Sequence, residues 1–461
     1  MDRQEFIRAL FARAKEVGFE DCEVFLSESE VFSTGVFKGE IIDYSASSGF
    51  GLGFRGLFGG RMGYASTQVL DSAAIEQLVR GAMENAQMID EDDPEELYPG
   101  SPAIAMPRTG NPALGEITPA EKIEMARELE RRTLARDPRM AQVDSCSVAS
   151  EDSRVRIVNT LGLDVSESAN CIGAFVSAIA RDGDRAGTGT GYRFVLDREA
   201  LDLGAIAAEA ADAAIAALDA QSIPSGNMGV VFAPRPAASL LSTFSGVFSA
   251  EAAQKGLSLL AGKEGTEVAA PCVTLVDDPH RDGSPSSAAF DGEGVPTRVK
   301  RVIDAGRLTT LLHNLKTARK QGVETTANAA RSYSSTMGIS PSNFYFAPSD
   351  IAPEALLERL GDGLLITEIA GLHAGANAAS GDFSLSAKGF CVRGGKRAQA
   401  VNQITVAGNF FELLKSILAV GSDLCFGPPA GSCYGSPSLL VSSLSIAGSG
   451  RGSAPAPRQG D

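Results

Sequence analysis

The chain has 461 residues, of which 44% are hydrophobic and 21% are charged, and its formal net charge is −16. This composition is typical of a soluble globular protein of two or three domains, and no apolar run of 18 residues offers a membrane span. The acidic balance disfavours direct binding to nucleic acid, because such binding needs a basic patch that releases counterions from phosphates.

Seven cysteines are scattered along the chain without a Cys-x-x-Cys pair. Their spacing argues against a disulfide framework and against a structural zinc site. The amino-terminal segment MDRQEFIRALFARAKEVGF has mixed charge and lacks the apolar middle of a secretory signal. We therefore expect a cytoplasmic protein.

The first half of the chain is predicted to form two similar α+β units. In residues 1–93 the pattern indicates a helix at about 3–17, strands within 22–67 and a second helix at about 72–88. Residues 94–118, which are rich in Pro and Gly and begin within the acidic run 91–96, indicate a linker. The repetition of helix, strands and helix in the next unit is compatible with an old duplication as well as with chance.

The second unit is predicted over residues 119–222. A helix starts near Pro119 and continues to Ala135, strands follow within 141–195, and an alanine-rich helix covers about 197–220. Helices beside mainly antiparallel sheets make this an α+β fold.

Residues 226–447 are predicted to form a strand-rich C-terminal domain. Short strand patterns alternate with Gly, Asn, Asp and Ser, and the turn Arg393-Gly394-Gly395-Lys396 indicates a hairpin. The tail 448–461, rich in Ser, Gly and Pro, is predicted to be disordered.

A short amphipathic helix is predicted over 240–256 at the start of this domain. Pro236 suits a first helical turn, apolar residues recur every three or four positions, and Gly256 supplies a stop. Its early turns carry no His, Glu or Cys. The helix is therefore well specified but offers no side chain that commonly binds a metal.

Other candidate sites are weaker than their structural alternatives. His280, His313 and His373 are too far apart to share a helical face, and His373, in a glycine-rich turn, is the better functional candidate. Asp277-Asp278 and Asp291-Gly292-Glu293 could serve acid-base chemistry, but beside turn formers they favour local backbone hydrogen bonds.

Two glycine-containing segments also resemble functional motifs. Gly49-x-Gly51-x-Gly53 lies in strand sequence without a following helix, which favours close packing over phosphate binding. Gly431-Ser432-Cys433 lies in a β context, which favours a structural turn over a nucleophile elbow.

Several segments together resemble the TldD/PmbA family of metallopeptidase subunits, historically also described as modulators of DNA gyrase. They are the stretches 290–296, 317–320 with 325–329, 381–386 and 402–409, together with Gly49-Phe50-Gly51-Leu52-Gly53-Phe54-Arg55. The resemblance therefore runs nearly end to end.

The resemblance implies a chain of the TldE/PmbA branch, which lacks the H-E-x-x-x-H zinc motif of the other branch. Aligned without gaps, the two motif histidines fall on Leu241 and Gly246 and the glutamate on Ser242. Cys433 matches the position of a C-terminal cysteine ligand, although a buried thiol is the commoner role for such a residue. The resemblance thus implies no catalytic or metal residue in this chain, with Cys433 and His373 as the remaining candidates.

The implied function is that of the non-metal subunit of a heteromeric zinc peptidase acting on peptides or unfolded segments. A metal-bearing TldD-like paralogue would supply zinc and the activated water, and this subunit would help to enclose the substrate. The alternative is a peptide-binding or regulatory homodimer without proteolytic activity. Neither hypothesis requires a nucleic acid or a membrane as partner.

Overall fold

The computed structural model describes residues 1–89, 95–101 and 104–449. The α-helices are α1 Arg3–Glu16, α2 Ser72–Met88, α3 Pro119–Ala135, α4 Leu203–Ala216, α5 Pro234–Phe244, α6 Ala250–Gln254, α7 Leu315–Gln321, α8 Pro353–Leu360, α9 Leu372–Gly375 and α10 Phe410–Ser416. Short 3₁₀ helices cover Pro112–Glu116, Arg198–Ala200, Ala217–Asp219 and Ser245–Phe248.

The strands of the N-terminal half are β1 Cys22–Phe37, β2 Glu40–Phe58, β3 Arg61–Thr67, β4 Met140–Asn159, β5 Asp164–Asp182 and β6 Arg185–Val195. The strands of the C-terminal half are β7 Pro224–Phe232, β8 Leu275–Asp277, β9 Lys300–Asp304, β10 Arg307–Leu308, β11 Ala329–Ala330, β12 Gly338–Ile339, β13 Asn343–Phe346, β14 Gly363–Ala370, β15 Asp382–Arg393, β16 Lys396–Asn409, β17 Ile417–Val420, β18 Cys425–Phe426, β19 Cys433–Ser436 and β20 Leu439–Ser449. The predicted α+β class is confirmed.

The N-terminal strands form one antiparallel sheet in the order β3-β2-β1-β4-β5-β6. Strands β1 and β4 pair along most of their length, so the strands of the two predicted units share a single sheet. Helices α1 and α2 pack on the β1–β3 half, and α3 and α4 on the β4–β6 half. The boundaries of the predicted units remain a prediction.

Local capping explains where these helices begin. Thr118 and Glu121 form a reciprocal capping box at the start of α3, as the predicted start near Pro119 requires. The alanine-rich helix begins later than predicted, because the Asp202 side chain accepts the backbone N–H of Ala205 and caps α4 at Leu203.

The C-terminal half combines a small barrel with a second sheet. Strands β16, β15, β14, β7 and β20 pair in turn, and a β16–β20 pairing closes the ring. The second sheet has the order β10-β9-β8-β13-β19-β18. The predicted hairpin is confirmed, since β15 and β16 meet at Gly394 and Gly395, both of which have positive φ.

Helix α5 lies in the largest apolar cluster, between these two sheets. The Phe244 ring stacks on that of Phe410 with a centroid distance of 4.7 Å, and Phe383 packs beside it. This core fixes α5 rigidly against the barrel.

Two sequence predictions fall partly outside the described residues. Of the acidic run 91–96, only Glu95 and Glu96 are described. Of the tail 448–461, Gly448 and Ser449 complete β20, and the remainder lies outside the described residues. Within the part of the chain that the structure describes, none of the helices has the length and apolar character needed to cross a bilayer.

Candidate functional site

Helix α5 contains two of the three positions that the resemblance aligns with the zinc motif. Pro234 fills its first turn, where a missing N–H leaves no intrahelical bond unmade. Leu240, Leu241 and Phe244 are all buried, so one face of the helix is committed to the core. The sequence therefore specifies both the start of α5 and the face by which it packs.

The predicted single helix over 240–256 is wrong, because the structure divides it into three parts. After α5 ends at Phe244, a 3₁₀ turn covers Ser245–Phe248, and Ser249 adopts an extended conformation and caps α6. The Ser245 Oγ donates to the Ser242 carbonyl at 2.9 Å, a local bond typical of residues that interrupt helices. The predicted stop is confirmed, since Gly256 has a φ of 71°.

The three positions aligned with the zinc motif lie on α5 and the turn after it. Leu241 is 0% exposed and packs in the core, Ser242 is partly buried, and Gly246 is exposed with open space where a side chain would begin. Zinc is bound in proteins by imidazole, thiolate or carboxylate groups. An alkyl group, a hydroxyl group and a missing side chain do not fit this ion.

Cys433 lies close to this helix, on strand β19. Helix α5 packs against β19, and Ser245 Oγ lies 3.0 Å from the hydroxyl of Tyr434, the residue next to Cys433. The Cys433 thiol is buried, and its burial raises its pKa, although Ser286 and Ser284 oppose the shift. Burial therefore favours the protonated thiol.

His373 is on the surface of the molecule, in the short helix α9. His313 is buried, and burial lowers its pKa. Across residues 1–89, 95–101 and 104–449, no three His, Cys, Asp or Glu side chains are grouped so that they could hold a metal ion. The structure thus does not bring Cys433 and His373 into a ligand set with a third such residue.

The acidic segments only partly follow the predicted turn chemistry. Asp291 accepts the backbone N–H groups of Glu293 and Val295 at 2.9 and 3.0 Å, as predicted. Asp277 differs, since it is fully buried and pairs with Lys300 Nζ at 3.0 Å. Lys300 lies on β9, far from Asp277 in the sequence, so the residues around Asp277 do not predict the ion pair.

The largest concentration of buried charge lies elsewhere, where the N-terminal sheet meets the C-terminal half. We call Glu23, Arg55, Glu293 and Arg331 the arginine cluster. Glu23 Oε1 accepts from Arg55 Nε at 2.8 Å and from Arg331 Nη2 at 2.5 Å. Glu293 Oε1 lies 3.7 Å from Arg55 Nη1. All four side chains are at most 4% exposed, so these charges are removed from water.

The pKa values of the two carboxyl groups in the cluster are shifted in opposite directions. Burial acts to raise the pKa of Glu23, but the charges of Arg55 and Arg331 outweigh it and hold that pKa below its ordinary value. Burial and then the neighbouring Asp291 raise the pKa of Glu293 to about 8, against the weaker effect of Arg55. At neutral pH Glu23 is ionised and most Glu293 is protonated.

The arginine cluster was missed by sequence reasoning, although one signal was available. Arg55 follows the pattern Gly49-x-Gly51-x-Gly53 in the segment 49–58, which is otherwise apolar, and a charged residue there requires a buried partner. The predicted close packing at these glycines is confirmed. A Cβ on Gly51 would lie 2.2 Å from the Tyr333 ring, and a Cβ on Gly53 would lie 2.5 Å from the Tyr333 carbonyl oxygen.

Three family models match this chain. They are described as PmbA/TldA metallopeptidase domain 1, central domain and C-terminal domain, and they match residues 22–86, 112–218 and 225–448. Together they account for most of the chain.

Curated proteins and solved structures are similar along nearly the whole length. A Thermotoga maritima protein described as a candidate modulator of a DNA gyrase is 35% identical, with a TM-score of 0.89, and the match covers 97% of this chain and 100% of that one. Metalloprotease PmbA of Escherichia coli O157:H7 is 27% identical over 413 residues, 87% of each chain. TldE from Thermococcus kodakarensis shares the fold, with 22% identity, a TM-score of 0.86 and coverage of 96% and 100%.

Proposed function

The chain belongs to the PmbA/TldD family of metallopeptidases, and from this premise we propose that it is the non-metal subunit of a heteromeric zinc peptidase. A metal-bearing TldD-like paralogue supplies the zinc ion and its activated water. This chain completes the complex and contributes no catalytic residue to the metal.

One observation carries the proposal. Helix α5 packs against the strand of Cys433, but the aligned motif positions on α5 and in the turn after it carry Leu241, Ser242 and Gly246. Leu241 is 0% exposed in the core, so this position now serves folding. A helix that keeps its packing and lacks every ligand fits a subunit whose chemistry is supplied by a partner.

The substrate in this proposal is a peptide or an unfolded segment. Within the described chain, strands β3 and β6 each pair on one side only. A free strand edge can bind an extended main chain without demanding a particular sequence. Folded proteins lack such accessible extended segments, so they are spared.

We place the complex in the cytoplasm. All seven cysteines lie in the described chain as free thiols, and four of them are buried. Free thiols of this kind persist in a reducing compartment.

The test compares the purified chain, the purified metal-bearing paralogue and their complex. We expect zinc, measured by mass spectrometry, to follow the paralogue, and chelator-sensitive cleavage of an unstructured peptide to be absent from this chain alone. The Cys433→Ala variant should leave the zinc content of the complex unchanged. Stoichiometric zinc in the isolated chain, with cleavage lost on chelation, would overturn the proposal.

A further inference from the structure

A cavity of about 180 Å³ opens beside the arginine cluster. It lies where β2 and β3 of the N-terminal sheet meet the loop 331–336 of the C-terminal half. Arg55 and Arg331 line it together with the aromatic residues Phe25 and Tyr333. The Tyr333 hydroxyl accepts a hydrogen bond from Gln68 Nε2 at 2.7 Å, which anchors the loop to the sheet.

The two arginines have donors that no described residue satisfies. Nη1 and Nη2 of Arg55 and Nε of Arg331 are buried and make no hydrogen bond of normal geometry within the described chain. The Tyr64 hydroxyl interacts with Arg55, but it donates its own proton to Glu95 at 2.6 Å. Buried donors of native proteins are nearly always paired, because an unmade bond costs about 1–3 kcal/mol for each group. Three such donors on two residues lining one cavity indicate that a ligand supplies the acceptors.

The charges around the cavity are also unbalanced. Both guanidinium groups share a single oxygen of Glu23, whose second oxygen has only a weak contact with Asn159 Nδ2 at 3.5 Å. Glu293 does not supply the acceptors that Arg55 lacks. Its Oε1 is 3.7 Å from Arg55 Nη1, and its Oε2 accepts the Leu315 N–H. Most Glu293 also keeps its proton at neutral pH, so Glu23 is the only ionised carboxyl group among the four residues of the cluster.

The walls of the cavity distinguish among anions. The Arg331 guanidinium lies over the Phe25 ring, with its Cζ 4.6 Å from the ring centroid. Guanidinium groups match a planar carboxylate with two parallel hydrogen bonds, and aromatic walls favour an apolar group beside it. A bare phosphate ion would leave those walls without a contact.

We propose that this cavity binds a carboxylate that carries an adjacent apolar group, through Arg55 and Arg331. Two sources present this chemistry, the C-terminus of a peptide and a small organic acid. The cavity is formed by this chain alone and does not depend on a metal-bearing partner. The carboxylate proposal and the peptidase proposal can therefore be confirmed or refuted independently of each other.

The experiment measures binding to the full chain by isothermal titration calorimetry. The probes are N-acetyl-Ala-Phe with a free carboxylate, the same dipeptide as its C-terminal amide, and phenylacetate. We expect the free acid to bind about tenfold or more tightly than the amide, since the charge-assisted bonds are lost in the amide. Phenylacetate binding as tightly as the dipeptide identifies a small acid as the ligand, and much weaker binding identifies a peptide terminus.

Variants test whether the cavity is responsible. Arg331→Gln should abolish the preference for the acid over the amide. Ser66→Phe fills the cavity from β3 without removing a charge, and it should weaken binding of the acid even if Arg331→Gln fails to fold. Arg301→Gln, at an exposed arginine that pairs with Asp304, is the matched control and should bind like the parent chain.

Three results would overturn the proposal. They are equal binding of acid and amide, full binding by folded Arg331→Gln or Ser66→Phe, and no binding of any probe to the parent chain.

Discussion

Glu293 is a carboxyl group whose environment favours its neutral form. Its side chain is 4% exposed and lies near Asp291, which is 7% exposed and accepts three backbone N–H groups. Arg55 attracts the ionised form of Glu293, but at 3.7 Å it does not compensate for burial. Deprotonation therefore places a poorly compensated negative charge inside the molecule.

The contribution of Glu293 to stability should consequently fall as the pH rises. The folded protein holds the Glu293 proton up to a pKa of about 8, whereas the unfolded chain releases it near the ordinary 4.5. Between these values the folded state binds more protons, so the free energy of unfolding decreases with increasing pH. We expect Glu293→Gln to show a shallower decrease between pH 5 and pH 8 in urea denaturation.

The decrease should persist in part, because burial also raises the pKa of Glu167 to about 7 and that of Asp291 to about 6. Glu412→Gln, at an exposed carboxylate on α10, is the control and should follow the parent chain. A Glu293→Gln variant as steep as the parent would show that the proton is not held there.

Helix α5 and the turn after it carry the three positions that the resemblance aligns with the zinc motif. Leu241 packs in the same cluster as Phe244 and Phe410, while Gly246 lies in the exposed 3₁₀ turn after the helix. Leu241 is thus part of the core, whereas Gly246 presents no side chain.

The two positions should respond in opposite ways to alanine. Leu241→Ala removes buried methyl groups and leaves a cavity, so we expect a loss of about 2–5 kcal/mol in the free energy of unfolding. Gly246→Ala meets open space at a φ that other residues adopt, so we expect a gain of about 0.4–1 kcal/mol. Guanidinium denaturation of both variants checks this, and a tolerated Leu241→Ala would contradict the core role.

At the scale of the whole molecule, the two halves are joined through a glycine-rich strand. The loop 331–336 lies on β2, with the Tyr333 ring against Gly51 and its carbonyl oxygen against Gly53. The same loop brings Arg331 to Glu23 on β1. Close backbone approach and ion pairing therefore act at the same junction.

Gly53→Ala should open this junction. Its Cβ would lie 2.5 Å from a backbone oxygen, which cannot rotate away, so we expect a loss of about 1–3 kcal/mol. Amides of residues 331–336 should then exchange faster in hydrogen-exchange mass spectrometry. Gly49→Ala on the same strand is the control, because its Cβ would meet only the Ser29 hydroxyl, which can move. Equal exchange in both variants would refute the role of Gly53.

Sequence reasoning succeeded where the determinants are local. The Thr118–Glu121 capping box and the turn at Gly394-Gly395 lie within a few residues of the elements they define, so their patterns predicted a helix start and a hairpin. It failed at 240–256, because hydrogen bonds of Ser245 and Ser249 to residues three positions away compete with the continuous helix that the apolar spacing favours.

By itself the sequence determined the α+β class, the family and the absence of metal-binding groups at Leu241, Ser242 and Gly246. The class follows from local periodicity, whereas the family and the aligned motif positions follow from the resemblance of several sequence segments to that family. Only the tertiary structure decided that β1 and β4 join one sheet, that α5 packs against the strand of Cys433, and that Arg331 reaches Glu23 across 308 positions of chain. Such contacts depend on how distant segments bury their surfaces together, and no local pattern encodes that.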